Sequence, residues 1–381
     1  MITIRFILLS LLFPLSLLHA NISIADTASQ TAPFNLSIES FTRQLTLDEK
    51  NHINQALALP ENLSPAGKSS VEAASFSGVI SQKPPTWNYL TTFNNEPQIY
   101  SNIVIGGDPQ AGGRTNVNIV VIPIALKLHK QMAALDFVSF PTQYVNVKKH
   151  TTVSLAVPDQ CNTVKKKSPL ALVKESPLFR PANIRFGNKV LKNSQYIDAH
   201  QRASFWRETG GDKNGYHLWL NPTFNSELAV DVPYENGVAV DSSLILGNPA
   251  CGTIAQVDFV WLDNYLRETA IPNLTAKGII SPSKVPVFLI KNLGLAQNTD
   301  TFSIFAQGYH DVVVSNTTGV VNLQTYMVAD IGMGALSIAP SDIRVLSHEL
   351  GEWVNNPFLT NFAPGLTLYG YPVPTPKSPT I

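Results

Sequence analysis

Leu346-Ser347-His348-Glu349-Leu350-Gly351-Glu352-Trp353 lies within a run, Ser341 to Asn355, whose apolar residues Ile343, Leu346, Leu350 and Trp353 or Val354 recur at steps of three and four. That period belongs to a helix with one face against a core. Pro340 at its start, Asp342 in its first turn and Asn355-Asn356-Pro357 at its end supply start and stop signals. His348 and Glu352 are four residues apart, so they project from one face about a turn from each other. An imidazole and a carboxylate so placed can both reach one Zn²⁺, which accepts N and O ligands at about 2.0–2.2 Å. Glu349 points in a neighbouring direction. That is the place of the general base in HExxH zinc peptidases, where the glutamate takes a proton from the attacking water. Gly351 costs about 1 kcal/mol of helix propensity against Ala, which suggests that another backbone comes close there.

Three strand-like runs precede this helix, Val285 to Ile290, Phe302 to Val314 and Val320 to Ala329. Before them Val257 to Lys277 has helical spacing, with Pro272 expected to kink or shorten it. Helix, three strands, helix is the order a zincin-type metallopeptidase needs, since a sheet edge can then pair with an extended substrate lying over the motif helix. Further upstream, Thr86 to Pro158 turns to β-branched runs, Ile103 to Ile105, Val117 to Ile124 and Tyr144 to Val147, broken by turns such as Gly106-Gly107-Asp108-Pro109. Gln195 to Trp206 reads as a helix whose Asp198 and Arg202 pair on a solvated face. The expected fold class is α+β (mixed α/β): a mixed sheet packed on the motif-bearing helix and preceded by a β-rich region.

The N-terminus carries Arg5, an apolar run from Phe6 to Leu18, and Ala20 as a cleavage-compatible small residue. This is the pattern of a secretory signal, so the expected location is secreted or periplasmic, with no stable membrane span after cleavage. Residues 21–85 read as a leader or propeptide-like region. It holds a helical stretch from about Ile38 to Leu59, a Thr46/Glu49 capping-box pair inside it, and a linker from Pro60 to Pro85. Residues 86–357 form the expected globular region, β-rich over about 86–160 and of catalytic type over about 250–357. The Pro-rich tail, 358–381, reads either as a linker to a further domain or as the end of a truncated frame. In an oxidising compartment Cys161 and Cys251 are expected to pair, closing a loop worth about 4–5 kcal/mol in the chain-entropy model; two separate buried thiols are the alternative.

Composition excludes other classes. The 27 Lys+Arg cancel the 27 Asp+Glu, so the basic excess that neutralises phosphates is missing and no nucleic-acid partner is expected. An apolar content of 44% with 14% charged residues excludes a disordered chain. No phosphate-cradling GxxxxGK[ST] loop occurs.

The motif and two further blocks resemble a family of uncharacterised secreted bacterial proteins, with fungal relatives, that carry an SHExxEWxxDP-like segment. Ser194 to Trp206 is similar to its QYxDAxQRAxFW block and Gly308-Tyr309-His310 to its GYH block, so the likeness covers roughly Thr86 to Pro357. A weaker similarity, through HELxE followed by Asn-Pro, is to the plant phosphate-induced or EXORDIUM-like secreted proteins. The resemblance implies a zincin-like domain with His348 and Glu352 as metal ligands and Glu349 as base. In that family the chain continues toward a Glu-x-Gly-Asp block that could supply a further ligand; here it runs Phe358 to Ile381 without one. Catalytic zinc usually has three protein ligands, so His310 or Asp330 is the candidate third, with His217 a more remote one.

The expected function is therefore a secreted zinc-dependent hydrolase, a peptidase acting on extracellular protein or peptide, with Zn²⁺ as cofactor. The alternative is a non-catalytic extracellular binding or structural protein on a degenerate zincin-like fold. A two-carboxylate sugar hydrolase is disfavoured, because Glu349 and Glu352 share a helix and cannot face each other across a cleft.

Overall fold

A computed structural model describes residues 45–57, 81–92, 99–134, 143–157, 168–211, 213–246, 252–300, 303–317, 320–332, 343–361, 367–368 and 371–372. The signal segment, most of the leader, both cysteines, Pro340 to Asp342 and most of the tail lie outside them, and the expectations placed there are neither met nor refused.

The chain opens with α1 (Leu47–Leu57), the short β1 (Ser81–Gln82), the hairpin β2 (Thr86–Thr92) and β3 (Ile99–Ile105), the 21-residue β4 (Arg114–Ala134) and β5 (Gln143–Val153). Next come α2 (Pro169–Glu175), a second hairpin of β6 (Ala182–Phe186) and β7 (Lys189–Ser194), and α3 (Tyr196–Ser204). Strands β8 (His217–Phe224), β9 (Leu228–Val232) and β10 (Gly237–Asp241) lead to α4 (Ser243–Leu246) and β11 (Thr253–Asp258). Helix α5 (Phe259–Tyr265) passes through a π turn, Leu266–Ala270, into α6 (Ile271–Ala276). Strands β12 (Lys284–Lys291), β13 (Leu293–Ala296), β14 (Gly308–Thr317) and β15 (Val320–Ile331) precede the motif helix α7 (Arg344–Asn355).

Eleven of these strands form one mixed sheet, and the fold is mixed α/β with a few helices on it. Strand β4 is its spine. One edge pairs with β12 in parallel and then with β5 antiparallel; the other pairs in parallel with β8, β9 and β10 in succession. Strand β15 continues the sheet beyond β12, and β14 closes that end antiparallel to it.

Helices cover both faces, so the central strands bury alternate residues on opposite sides rather than exposing one side. Val117, Ile119 and Val121 of β4, Val285, Val287 and Leu289 of β12, and Met327 and Ala329 of β15 pack under α7. The intervening Val120, Ile122, Ile124, Phe288, Ile290, Tyr326 and Val328 pack under α5 and α6. A third cluster joins Leu45, Ile53 and Leu57 of the α1 region to Ile103, Val312, Val321, Leu323 and Phe358. Arg267 ties α1 down from the other side through a 3.0 Å ion pair with Glu49.

One local expectation is met directly. The capping box forms, with Glu49 N donating to Thr46 Oγ1 at 3.2 Å and Thr46 N to Glu49 Oε2 at 2.9 Å. Others are corrected. The helix expected from Val257 starts at Phe259, because Asp258 Oδ1 caps it through Trp261 N at 2.8 Å and Val257 completes β11. Pro272 does not shorten the helical run, which continues to Ala276 after a π turn just before the proline. Among the described residues no helix is long and apolar enough to cross a membrane.

Candidate metal centre

Helix α7 turns Val345, Leu346, Leu350, Trp353 and Val354 into the core and leaves Ser347, His348 and Glu352 toward a cleft. Trp353 Nε1 donates to Thr325 Oγ1 of β15 at 3.1 Å, which fixes the helix on the sheet. Just past the helix, Asn361 donates to Ile103 O at 2.6 Å and accepts from Ile103 N at 2.7 Å, tethering the turn to β3. Phe358 is wholly buried in the cluster with Leu45 and Ile103.

Strand β14 lies beside this helix, with Gly308 and His310 on the side facing it. The ring of His310 is 4% exposed, and its Nε2 donates to the carbonyl of Asn356 at 3.2 Å. A carbonyl can only accept, so Nε2 carries the hydrogen and Nδ1 is turned the other way. There it meets Glu349 Oε2 and Glu352 Oε2, each at 3.7 Å. Ligand atoms of these three residues all lie within 4.8 Å of one another. His348 stands on the outer side, its Nε2 3.1 Å from Glu352 Oε1.

The two carboxylates differ. Glu349 is 1% exposed and its Oε2 is buried without a hydrogen-bond partner, whereas the side chain of Glu352 is one-third exposed. Burial pushes the Glu349 carboxyl above its ordinary range, against the pull of His310. The hydrogen bond that His348 donates to Glu352 raises the pKa of the imidazole, with desolvation opposing it. An orphaned acceptor among two carboxylates and an imidazole nitrogen, nearly all of it out of water, is an arrangement that a cation would satisfy.

Gly308 makes this closeness possible. A Cβ there would lie 2.7 Å from Val345 Cγ1, 2.8 Å from Glu349 Oε1 and 2.9 Å from the Val328 carbonyl. Gly308→Ala is expected to destabilise the protein by about 1–3 kcal/mol, read as an earlier urea midpoint at unchanged slope. Gly351 behaves differently from expectation: an added Cβ would meet nothing within 4 Å. Its missing side chain leaves room in the cleft and admits no other backbone.

The opposite wall of the cleft is α3. Tyr196, His200, His310, Ser347, His348, Gly351, Glu352, Asn355 and Asn356 line a space of about 440 Å³. Asn355 Nδ2 donates to His200 Nε2 at 3.0 Å across the two helices, and the Tyr196 and His200 rings stack at 6.3 Å. Burial lowers the pKa of His200 and raises that of Tyr196, so both rings are held neutral.

Buried polar side chains hold α3 in place. Gln195 donates to the carbonyls of Phe179 and Leu220 and accepts from Leu220 N, while Asp198 Oδ1 accepts from Leu218 N at 3.0 Å. These amide and carboxylate groups complete the edge of β8 in place of a further strand. Asp198 also receives Ser194 Oγ at 2.7 Å, Arg202 Nη1 at 3.1 Å and His217 Nδ1 at 3.2 Å. Its pair with Arg202 is therefore not on a solvated face, since Asp198 is fully buried and Arg202 is 4% exposed.

Of the candidate third ligands, only His310 reaches the centre. His217 is engaged at the base of α3, and Asp330 Oδ1 accepts from Leu293 N at 2.8 Å, a chain-turning role after β12. The roles of Tyr196, His200, Asn355 and Gly308 had no signal in residue spacing. The block from Ser194 to Trp206 and the Gly308-Tyr309-His310 triplet marked those places without revealing what they do.

No protein-family model, curated protein or solved structure matches the chain. The functional reading rests on the geometry of these residues.

The buried carboxyl also predicts a pH dependence. An acid whose folded pKa lies above its unfolded value favours folding while protonated, fully so below about pH 4.5, and that contribution is lost as pH rises through the folded value. Glu349→Gln cannot ionise. In metal-free protein its melting temperature is expected to pull ahead of wild type as pH is raised from about 4 to 8, checked by calorimetry along the series.

Proposed function

We propose that the protein is a zincin-like, zinc-dependent hydrolase, secreted, acting on peptide bonds, and related to the SHExxEWxxDP-bearing family it resembles. The observation that carries this reading is the convergence of His310 with Glu349 and Glu352 in a cleft beside His348. The donor set suits the ion, since two imidazoles and a carboxylate are ordinary zinc ligands and Glu349 Oε2 accepts no hydrogen bond. His310, His348 and Glu352 would hold it. When bound, Zn²⁺ supplies Lewis acidity toward a carbonyl and toward water.

The chain's own residues do the rest. Glu349 Oε2 takes the proton of the attacking water and later delivers it to the leaving amine, a role that a carboxyl raised by burial suits near neutral pH. Tyr196 and His200, both neutral, line the substrate side and offer O–H and N–H donors to the scissile region. The Asn356 carbonyl keeps the His310 ring aimed.

A second reading is favoured by one observation: the tightest trio is His310, Glu349 and Glu352, without His348. If Glu349 is itself a ligand, the site is a structural ion site and the protein is a non-catalytic extracellular module. Zinc content after dialysis tests the common ground. About one zinc per chain is expected in wild type and none in His310→Ala/Glu352→Ala, with circular dichroism confirming that the variant folds. Equal and negligible zinc in both would sink both readings.

A further inference from the structure

A second group of metal-binding side chains stands toward the C-terminal end of the spine strand. Leu126, Leu128 and Lys130 turn one way into buried surroundings, so Lys127 and His129 turn the other way. On one edge Lys127 pairs with Asp231 of β9, between the buried Val230 and Val232, which puts Asp231 on the face of His129. On the other edge the antiparallel register Leu126↔Val153, Lys127↔Thr152, Leu128↔Thr151 carries His150 to His129, at the point where a bulge interrupts the ladder before Lys130↔Asn146. Residues opposed in this way share a face, and bulges re-aim the side chains beside them. Val121, the last β4 residue packed under α7, is eight positions from His129, about 26 Å along the strand, so this group is separate from the cleft.

The rings of His129 and His150 are 6.0 Å apart between centres and inclined at 67°. His129 Nε2 lies 2.5 Å from Asp231 Oδ1. A carboxylate accepts, so Nε2 carries the hydrogen and Nδ1 keeps its lone pair. A carboxylate behind an imidazole is the arrangement that fixes the tautomer of a metal-ligating histidine and raises its basicity. Among the described residues neither nitrogen of His150 has a hydrogen-bond partner.

The spacing suits a shared ion. A metal about 2.0–2.1 Å from an imidazole nitrogen lies about 3.2 Å from the ring centre, so two rings on one tetrahedral ion have centres about 5.2 Å apart. These rings need to close by less than about 1 Å, a rotamer adjustment at the surface. The site is open to solvent, since the side chains of His129 and Asp231 are 36% and 67% exposed. Lys127, half-buried on the same face, opposes a cation there, and the Asp231 carboxylate offsets it. Imidazole donors select the late transition metals over Mg²⁺ and Ca²⁺. We infer that His129 and His150, with Asp231 behind His129, form an exchangeable surface site for a late transition-metal ion of the Zn²⁺ and Cu²⁺ class.

The test titrates the full chain with Cu²⁺–iminodiacetate, a probe that leaves two coordination positions for protein imidazoles. Electron paramagnetic resonance follows it, because the nuclear modulation of the copper signal tells one bound imidazole from two. Wild type is expected to show a two-imidazole species. His129→Ala and His150→Ala should each weaken binding at least ten-fold and leave a one-imidazole signal, and Asp231→Asn should weaken it by about ten-fold while both imidazoles stay bound. His310→Ala/Glu352→Ala should keep the two-imidazole species, which separates this result from the fate of the cleft. The proposal is overturned if wild type shows no two-imidazole copper, if either single histidine variant retains it, or if His310→Ala/Glu352→Ala loses it.

Discussion

Glu349→Gln is expected to lower peptide hydrolysis by about 10²–10⁴-fold in kcat while zinc stays near one per chain. The substitution keeps the size of the side chain and removes only its ability to take a proton, so the loss belongs to the proton-transfer step. Little else should move, because the amide fills the same space at a position that is 1% exposed. Single-turnover rates and metal content measured on the same preparation separate the two readings of the centre. Retained zinc with lost turnover supports the hydrolase. Lost zinc, in a wild type that turns nothing over, makes Glu349 a ligand and the protein a metal-stabilised module.

Asp198→Ala should be the most damaging substitution for stability, at about 3–5 kcal/mol. It removes in one step an acceptor used by Arg202, which is 4% exposed, by Leu218 N and by Ser194 Oγ. Each buried donor left behind carries its own desolvation cost. Asp198→Asn, which still offers one acceptor oxygen, should recover part of the loss. The urea midpoints of the two variants check the order. A drop below about 1 kcal/mol for Asp198→Ala would show that α3 does not depend on this carboxylate.

What the sequence disclosed was local and periodic. The motif helix, β12 and β15 were legible because alternation and the helical step survive burial, and the Thr46/Glu49 cap was legible because it is a contact three residues long. Strand β4 was underestimated. Its apolar stretch from Val117 to Ile124 signals a strand, but the extension through Lys127 and Lys130 to Ala134 exists because successive neighbours line its edges. Pro123 falls in the break between the β8 register, ending at Val121, and the β9 register, starting at Ile124, a position where a missing N–H is tolerated.

The site was half legible for the same reason. His348, Glu349 and Glu352 are bound together by helix geometry. His310 reaches them only through the pairing of β14 with β15 and the glycine at 308, and neither leaves a trace in spacing. Asp198 shows the opposite failure: an i, i+4 acid–base pair looks like a surface pair until tertiary contacts bury it.

The spine strand also sets the order of events during synthesis. β4 leaves the ribosome long before most of its partners, because the segments that flank it in the finished sheet, from His217 to Lys291, follow it in the chain. Its apolar core, Val117 to Ile124, therefore waits for β8 on one edge and, longer, for β12 on the other. Such a topology has a high contact order and folds slowly, and in the interval the exposed strand is the segment most prone to stick to a second copy. Refolding yields should fall as protein concentration rises, and a chaperone that holds extended apolar segments should find its first foothold between Val117 and Leu128.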